Sequence, residues 1–191
     1  MRIISGTHKG KRITAPKNLP VRPTTDFAKE ALFNILRNQL YFEDIEVLDL
    51  FAGTGNISYE FASRGVPSIT CVDGHFACVK FIQKTARELN FPITTVKSDV
   101  YKYLGSCSTS FDLIFADPPY AFEIEEFENL VGKIFQNALL KSDGIFIIEH
   151  PKQTELNQLA GFVESRRYGG SVFSFFKIAA HDSPLEEEIT S

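Results

Sequence analysis

An apolar run that ends in a glycine turn is the feature that most constrains how this chain can fold. Residues 47–56 have the sequence VLDLFAGTGN, and a helical pattern follows over residues 57–64. The apolar run predicts a short buried strand. Gly53 and Gly55 allow the backbone to approach a ligand closely, and the start of the helix offers unpaired N–H groups. The stretch therefore predicts a strand, a tight turn and a helix that together form a nucleotide cradle.

Strand-like and helical patterns alternate along the chain from residue 45 onward. Strand-like runs lie at 45–50, 69–73, 93–97, 112–116, 144–149, 162–167 and 172–179. Helical patterns lie at about 26–41, 56–64, 75–90, 123–140 and 153–160. The last two strands are joined by Tyr168, Gly169 and Gly170, which is a hairpin signal. This alternation predicts a Rossmann-like, doubly wound α/β fold whose mostly parallel seven-stranded sheet is covered on both faces.

Charge is unevenly distributed along the chain. The net charge of the 191 residues is −4, but residues 1–25 carry six basic side chains and no acid. Such a segment can contact phosphates locally, although a solvated basic loop fits the composition equally well. Short β-type runs separated by Gly6 and Gly10 predict a small hairpin. We therefore divide the chain into a basic N-terminal arm (1–25), a main domain (26–181) and an acidic tail (182–191).

Several classes of protein are disfavoured by the composition. The three cysteines include no C-x-x-C pair, which argues against a zinc site or a disulfide framework. The four histidines are scattered, so no metal is expected. No apolar run approaches the roughly 20 residues that a membrane span needs. The N-terminus also lacks the apolar core of a secretory signal, and we expect a cytoplasmic protein without membrane contact.

Acidic residues follow each of the first three predicted strands, where ligands bind in sheets of this kind. Asp49 lies inside the cradle, Asp73 is placed to accept from ribose hydroxyls, and Asp99 is placed to accept from an adenine amino group. Each acid alone is better explained as a turn or helix cap. Together with Gly53 and Gly55 they favour a nucleoside that carries a cationic amino acid.

S-adenosylmethionine has this chemistry, since it combines a sulfonium with an α-amino group. A nicotinamide dinucleotide is disfavoured because Ser58 stands where the third glycine of its fingerprint would be. We also place Phe51 and Val100, which neighbour the residues above in the chain, in the cofactor site.

A second motif, Asp117-Pro118-Pro119-Tyr120, follows the fourth predicted strand. A rigid turn would explain the prolines but not the acid and the aromatic residue beside them. The Asp117 carboxylate and the Pro118 carbonyl could accept the two hydrogens of an aromatic amine and direct its lone pair toward a methyl sulfonium. Tyr120 offers a face on which a flipped-out base could stack. The motif therefore predicts an amino-methyltransferase.

Motifs along nearly the whole chain carry a resemblance to a known family. They are RIISG (2–6), Lys9, Gly10 and Arg12, RPTTD (22–26), EALFNIL (30–36), LDLFAGTG (48–55), SRG (63–65) and FADPPY (115–120). The chain resembles class I S-adenosylmethionine-dependent methyltransferases with a D/N-P-P-Y motif. More narrowly, it resembles the RsmD-type family of bacterial enzymes, which methylate guanine N2 in small-subunit (16S) ribosomal RNA.

This resemblance implies that Asp117 to Tyr120 hold the target guanine and that the arm contacts RNA. The residues assigned to that contact are Arg2, Lys9, Lys11, Arg12, Arg22 and Thr25. The family usually has an arginine at the position of Phe27, and Lys29 is expected to compensate in part. The implied partner is 16S rRNA or an assembling small subunit, with the protein acting as a monomer. Alternatives are adenine N6 or a protein glutamine amide as acceptor, or RNA binding without catalysis.

Overall fold

A computed structural model of the chain describes residues 1–16, residue 19 and residues 24–178. The expectations for Arg22 and for the acidic tail 182–191 lie outside these residues. The strands described are β1 (Glu46–Leu50), β2 (Ser68–Asp73), β3 (Ile93–Lys97), β4 (Phe111–Ala116), β5 (Leu140–Pro151), β6 (Phe162–Tyr168) and β7 (Ser171–Phe176). The α-helices described are α1 (Asp26–Leu36), α2 (Asn56–Ser63), α3 (Phe76–Glu88), α4 (Val100–Ser106) and α5 (Ile124–Gln136).

The strands form one seven-stranded sheet in the order β3-β2-β1-β4-β5-β7-β6. Strands β1 to β5 are parallel to one another, whereas β7 runs antiparallel to both β5 and β6. The predicted mostly parallel sheet with an antiparallel hairpin at one edge is thus confirmed. The strand order changes direction between β1 and β4, which opens a crevice at the carboxyl ends of these strands.

Both faces of the sheet are buried, which explains why its strands read as continuous apolar runs. Val47 of β1 points into a core that includes α1, α2 and α3. Leu48 and Leu50 point to the opposite face, into a core that includes α4 and α5. This arrangement of helices on both faces fixes β1 and β4 at the centre of the sheet. It also holds the glycine turn and the Asp117 loop beside each other.

The N-terminal hairpin is short and packs against helix α2. Its strands meet at an isolated antiparallel bridge between Arg2 and Arg12, and Ile3 is buried in the core. The Glu60 carboxylate accepts from two backbone N–H groups of the hairpin, and the backbone N–H of Thr7 donates to the Ser63 carbonyl (2.7 Å). All eight residues of α2 are consequently buried.

The helices differ from the prediction in three ways: one ends earlier, one predicted helix is absent, and one helix was not predicted. Helix α1 ends at Leu36 rather than near Tyr41, because Phe42 packs against aromatic rings of the core and brings the chain back toward β1. Residues 153–160 form turns, since Leu156 and Leu159 supply only one helical turn of apolar contacts. Helix α4 was missed because it is only seven residues long and contains a glycine.

Candidate active site

A cavity of about 550 Å³ lies at the carboxyl edge of the sheet. This volume is within the usual range for small-molecule sites. The predicted site residues that line it are Thr25, Asp49, Phe51, Gly53, Asp73, Asp99, Val100, Asp117, Pro118, Pro119 and Tyr120. The sheet therefore brings the Asp117 motif and the predicted cofactor residues to one cavity, except for Gly55, which does not line it.

The glycine turn after β1 adopts backbone conformations that demand glycine. Gly53 and Gly55 have φ angles of 54° and 78°, and Gly55 is the N-cap of α2. A Cβ atom at Gly55 would lie 2.9 Å from the Tyr59 ring, so a side chain there would force a shift. Phe51 also has a positive φ, 58°, which is strained for a bulky residue. The turn is thus held in a strained shape beside the cavity, as expected of a ligand cradle.

Asp73 holds the glycine turn in place. One carboxylate oxygen accepts from the Gly53 backbone N–H (2.8 Å) and the other from the His75 backbone N–H (2.7 Å). A carboxylate offers about four acceptor positions, so each oxygen retains capacity for a further hydrogen bond from a ligand.

Asp99 is the N-cap of α4, which agrees with the helix-cap interpretation of this acid in the sequence. Its carboxylate accepts from the Lys102 backbone N–H (3.0 Å) and caps α4, and it lines the cavity at the same time. Val100 begins this helix and is buried. The cap fixes the carboxylate at the end of the cavity that borders β3.

Asp49 is a buried acid whose environment favours protonation. Its carboxylate accepts a 2.5 Å hydrogen bond from the Ser58 hydroxyl. Burial nevertheless raises the pKa of Asp49 to about 7, and the nearby Asp73 carboxylate contributes to this rise. Ser58 occupies the position of the missing third glycine, and its role as a donor to Asp49 was not predicted. The Asp49 carboxyl can therefore gain or lose a proton near neutral pH.

The loop after β4 is anchored to the neighbouring strand. The Asp117 backbone N–H donates to the Leu50 carbonyl (3.3 Å), and the Phe122 N–H donates to the Pro119 carbonyl (3.0 Å). Pro118 is buried, whereas the Tyr120 side chain is 45% exposed. The loop thus presents an acid and an exposed aromatic ring next to the glycine turn.

A hydrogen-bond chain that the sequence did not reveal fixes the wall of the cavity that Thr24, Asn56 and Glu149 form. The Lys29 ammonium donates to the Asn56 side-chain oxygen (2.9 Å), and the Asn56 amide donates to the Thr24 carbonyl (3.2 Å). The Thr24 hydroxyl donates to Glu149 (3.0 Å), which is buried at the end of β5 and lines the cavity.

Lys29 does not have the position expected of an RNA contact. Its side chain is 1% exposed and forms an ion pair with Glu60, so it cannot replace a surface cation. The interpretation that it compensates for Phe27 is wrong, because α1 turns Lys29 into the core while Phe27 stays 67% exposed.

The basic residues of the arm that the structure describes do not line the cavity. Lys9 and Lys11 are exposed near the hairpin tip, which packs beside Ser63 at the end of α2 away from the cradle. Arg12 is exposed opposite Arg2 in the antiparallel bridge. Eight helical residues span roughly 12 Å, which separates the tip from the glycine turn. Arg2 lies nearer the cavity, because its guanidinium pairs with Asp26 at the start of α1 (3.2 Å).

Within the described part of the chain, no cluster of three or more His, Cys, Asp or Glu side chains could hold a metal ion. Nor does any helix there have the length and apolar character needed to cross a membrane. The three cysteines are free thiols, and Cys71 and Cys78 are buried.

Comparison with known proteins gives consistent matches. A family model described as "Conserved hypothetical protein 95" matches residues 1–177. The chain is 33% identical to the putative rRNA methyltransferase YlbH of Bacillus subtilis over 84% of this chain and 88% of that protein. It is 29% identical to ribosomal RNA small subunit methyltransferase D of Buchnera aphidicola subsp. Baizongia pistaciae, with 83% and 79% covered. The solved structure of putative methyltransferase yhhF from Escherichia coli has a TM-score of 0.81 and 26% identity, with 94% and 98% covered.

Proposed function

The chain belongs to the Conserved hypothetical protein 95 family, and from this membership we propose that it transfers a methyl group from S-adenosylmethionine to the exocyclic N2 of a guanine in 16S ribosomal RNA. The names of the relatives from Bacillus and Buchnera support rRNA as the substrate class. The observation that carries the proposal is the shared cavity, in which the glycine turn after β1 and the Asp117 loop after β4 face one space. Donor and acceptor can therefore meet there.

The residues at the cradle fit S-adenosylmethionine. The strained turn brings backbone close to the ligand, and the acidic side chains of Asp49, Asp73 and Asp99 suit a nucleoside with a cationic amino-acid group. When bound, the cofactor supplies an electrophilic methyl carbon on a sulfonium. We assign Asp73 to the ribose and Asp99 to the adenine, since Asp99 lies farther along the sheet toward β3. Phe51, Gly53 and Val100 complete the walls of this half of the cavity.

The Asp117 loop supplies the chemistry on the substrate side. An exocyclic aromatic amine is a weak nucleophile because its lone pair is delocalised into the ring. The Asp117 carboxylate and the Pro118 carbonyl accept the two amine hydrogens, which directs the lone pair toward the cofactor half of the cavity. The same carboxylate stabilises the positive charge that develops on nitrogen during the transfer. Tyr120 stacks on the guanine, for which its exposed ring is well placed.

RNA contact outside the cavity is assigned to the basic arm. Lys9 and Lys11 are exposed near the hairpin tip, which packs on the far end of α2, so they contact phosphates away from the target nucleotide. Arg12 is exposed opposite Arg2 in the hairpin. Arg2 of the hairpin pairs with Asp26 in the first turn of α1, and Thr25 caps that helix and lines the cavity. Because the chain outside residues 1–25 is acidic, we favour an assembling small subunit, whose basic proteins can face it. We propose that the protein acts there as a cytoplasmic monomer.

The experiment that tests the proposal follows a labelled methyl group from S-adenosylmethionine to unmodified small ribosomal subunits and to naked 16S rRNA. Nucleoside analysis of the product identifies the modified base. We expect label in N2-methylguanosine, with faster transfer to the particle than to naked RNA. Label in N6-methyladenosine or in protein would overturn the substrate while leaving the methyl-transfer chemistry in place. Cofactor binding without transfer to any acceptor would overturn the catalytic proposal.

A further inference from the structure

The cavity continues past the Asp117 loop toward the antiparallel edge of the sheet. Beyond β4 it is lined by Glu149 at the end of β5 and by residues 168–171 at the turn between β6 and β7. Since neighbouring strands are about 4.8 Å apart, the distance from β2 to β6 along the sheet order is about 24 Å. The outer end of the cavity is thus several strands away from the cofactor half and from Asp117.

An aromatic pair forms the wall of this outer end. Phe27, in the first turn of α1, lies against Tyr168 at the end of β6, with ring centroids 6.1 Å apart and planes at 74°. Both residues line the cavity. Tyr168 is supported from behind by Phe173, with centroids 6.1 Å apart, and packs on the core. Phe27 belongs to neither core and remains 67% exposed, so core packing does not account for it.

Basic side chains stand beside this pair. Arg166 lies on the same face of β6 as Tyr168, two residues earlier, and its side chain is 55% exposed while paired with Glu164. The Arg2 side chain is 50% exposed and pairs with Asp26, which precedes Phe27 in the first turn of α1. Exposed aromatic rings next to cations are the combination that binds single-stranded nucleic acid, because bases stack on the rings while the cations follow the phosphates.

We propose that Phe27 and Tyr168 form a stacking site for a nucleobase that neighbours the target guanine in the RNA. This inference rests on the proposed function, since it takes the Asp117 loop as the place of the target base. Phe27 presents the exposed ring, and Tyr168 orients it by the edge-to-face contact. A base held here fixes the RNA strand while the target nucleotide turns into the cavity. The site therefore contributes to selecting which guanine of the RNA is methylated.

The test is a coupling measurement on short single-stranded RNAs with one central guanine. Each RNA is made with an intact base or a base-free ribose at one flanking position, and its dissociation constant is measured by fluorescence anisotropy. With the wild-type protein, we expect loss of the base on one side to weaken binding at least about fivefold. Phe27→Ala should bind the intact RNA about as weakly as the wild-type protein binds the RNA that lacks the flanking base. Removing the base should then have little further effect on the dissociation constant of this variant. Phe27→Trp should restore the difference.

Tyr41→Ala is the matched control, because Tyr41 is 81% exposed and follows the end of α1 remote from the cavity. It should show the same dependence on the flanking base as the wild-type protein. The inference is overturned if Phe27→Ala keeps that dependence, if the flanking base makes no difference to the wild-type protein, or if the wild-type protein binds none of these RNAs. Failure of the proposed function is distinct: the coupling would persist while no N2-methylguanosine is formed.

Discussion

The Lys29 ammonium lies 3.3 Å from the Glu60 carboxylate, in an ion pair whose side chains are 1% and 0% exposed. Burial lowers the pKa of Lys29, and the Glu60 charge opposes this change. Glu60 also accepts from the backbone N–H groups of Ile4 (2.8 Å) and Ser5 (3.0 Å) and from Arg64. One buried carboxylate therefore joins α1, α2 and the N-terminal hairpin.

Loss of the Glu60 carboxylate should destabilise the whole fold. Glu60→Ala leaves the Lys29 charge buried without its partner, for which we expect a loss of about 3–5 kcal/mol in the free energy of unfolding. Chemical denaturation measures this loss, with Glu128→Ala on the exposed face of α5 as the control. A loss as small as that of the control would show that the carboxylate does not hold these three elements together.

Gly6 and Gly10 provide a matched pair for the docking of the hairpin. Both have positive φ, 82° and 85°, so alanine is strained at either position. A Cβ at Gly6 would lie 1.7 Å from the Ser63 carbonyl oxygen, whereas nothing lies within 4 Å of one at Gly10. Gly6→Ala should therefore cost about 1–3 kcal/mol more than Gly10→Ala in thermal or chemical unfolding. Equal losses would mean that the hairpin does not pack on α2 in this way.

The fold could be predicted largely from apolar periodicity. The seven strands and the long helices lie close to their predicted positions, because β1 and β4 are buried on both faces and read as continuous apolar runs. Helix α4 escaped this reasoning, since its stability comes from the Asp99 cap and from packing of Leu104 rather than from a long apolar stripe. Residues 153–160 show the opposite case. Their apolar spacing predicted a helix, but only Leu156 and Leu159 pack on the core and the segment forms turns.

The site was predictable where the residues are adjacent in the chain, as in the glycine turn and the Asp117 motif. The chain of hydrogen bonds from Lys29 through Asn56 and Thr24 to Glu149 joins residues up to 125 positions apart, and no local pattern reveals it. The burial of Lys29 likewise depends on how α1 meets α2.

Cofactor affinity should depend on pH through Asp49. The pKa of Asp49 is about 7 in the folded protein, and a cation bound beside it favours the ionised form. Binding below pH 7 must then release a proton, so affinity for S-adenosylmethionine should fall by up to about tenfold for each pH unit below that value. Titration calorimetry across this range measures the slope. Asp49→Asn should flatten it, and an unchanged slope in that variant would assign the dependence to another group.

The basic arm should control the salt dependence of RNA binding. Neutralising Lys9, Lys11 and Arg12 together removes up to three phosphate contacts, which should reduce the slope of log affinity against log salt by about 2 to 3. Filter binding or anisotropy at several salt concentrations gives this slope. The control neutralises three exposed cations of α3, namely Lys80, Lys84 and Arg87. An equal change in both triple variants would reflect net charge rather than contact by the arm.

The most direct test of the account compares methyl transfer and cofactor binding in Asp117→Ala. We predict that single-turnover transfer to unmodified small subunits falls at least about 100-fold, because the amine hydrogens lose their charged acceptor, while the dissociation constant for S-adenosylmethionine stays within about twofold. Asp143→Ala, an exposed acid within β5, should keep both values. Transfer by Asp117→Ala at a rate close to that of the wild-type protein would contradict the central claim that this loop holds the methyl acceptor.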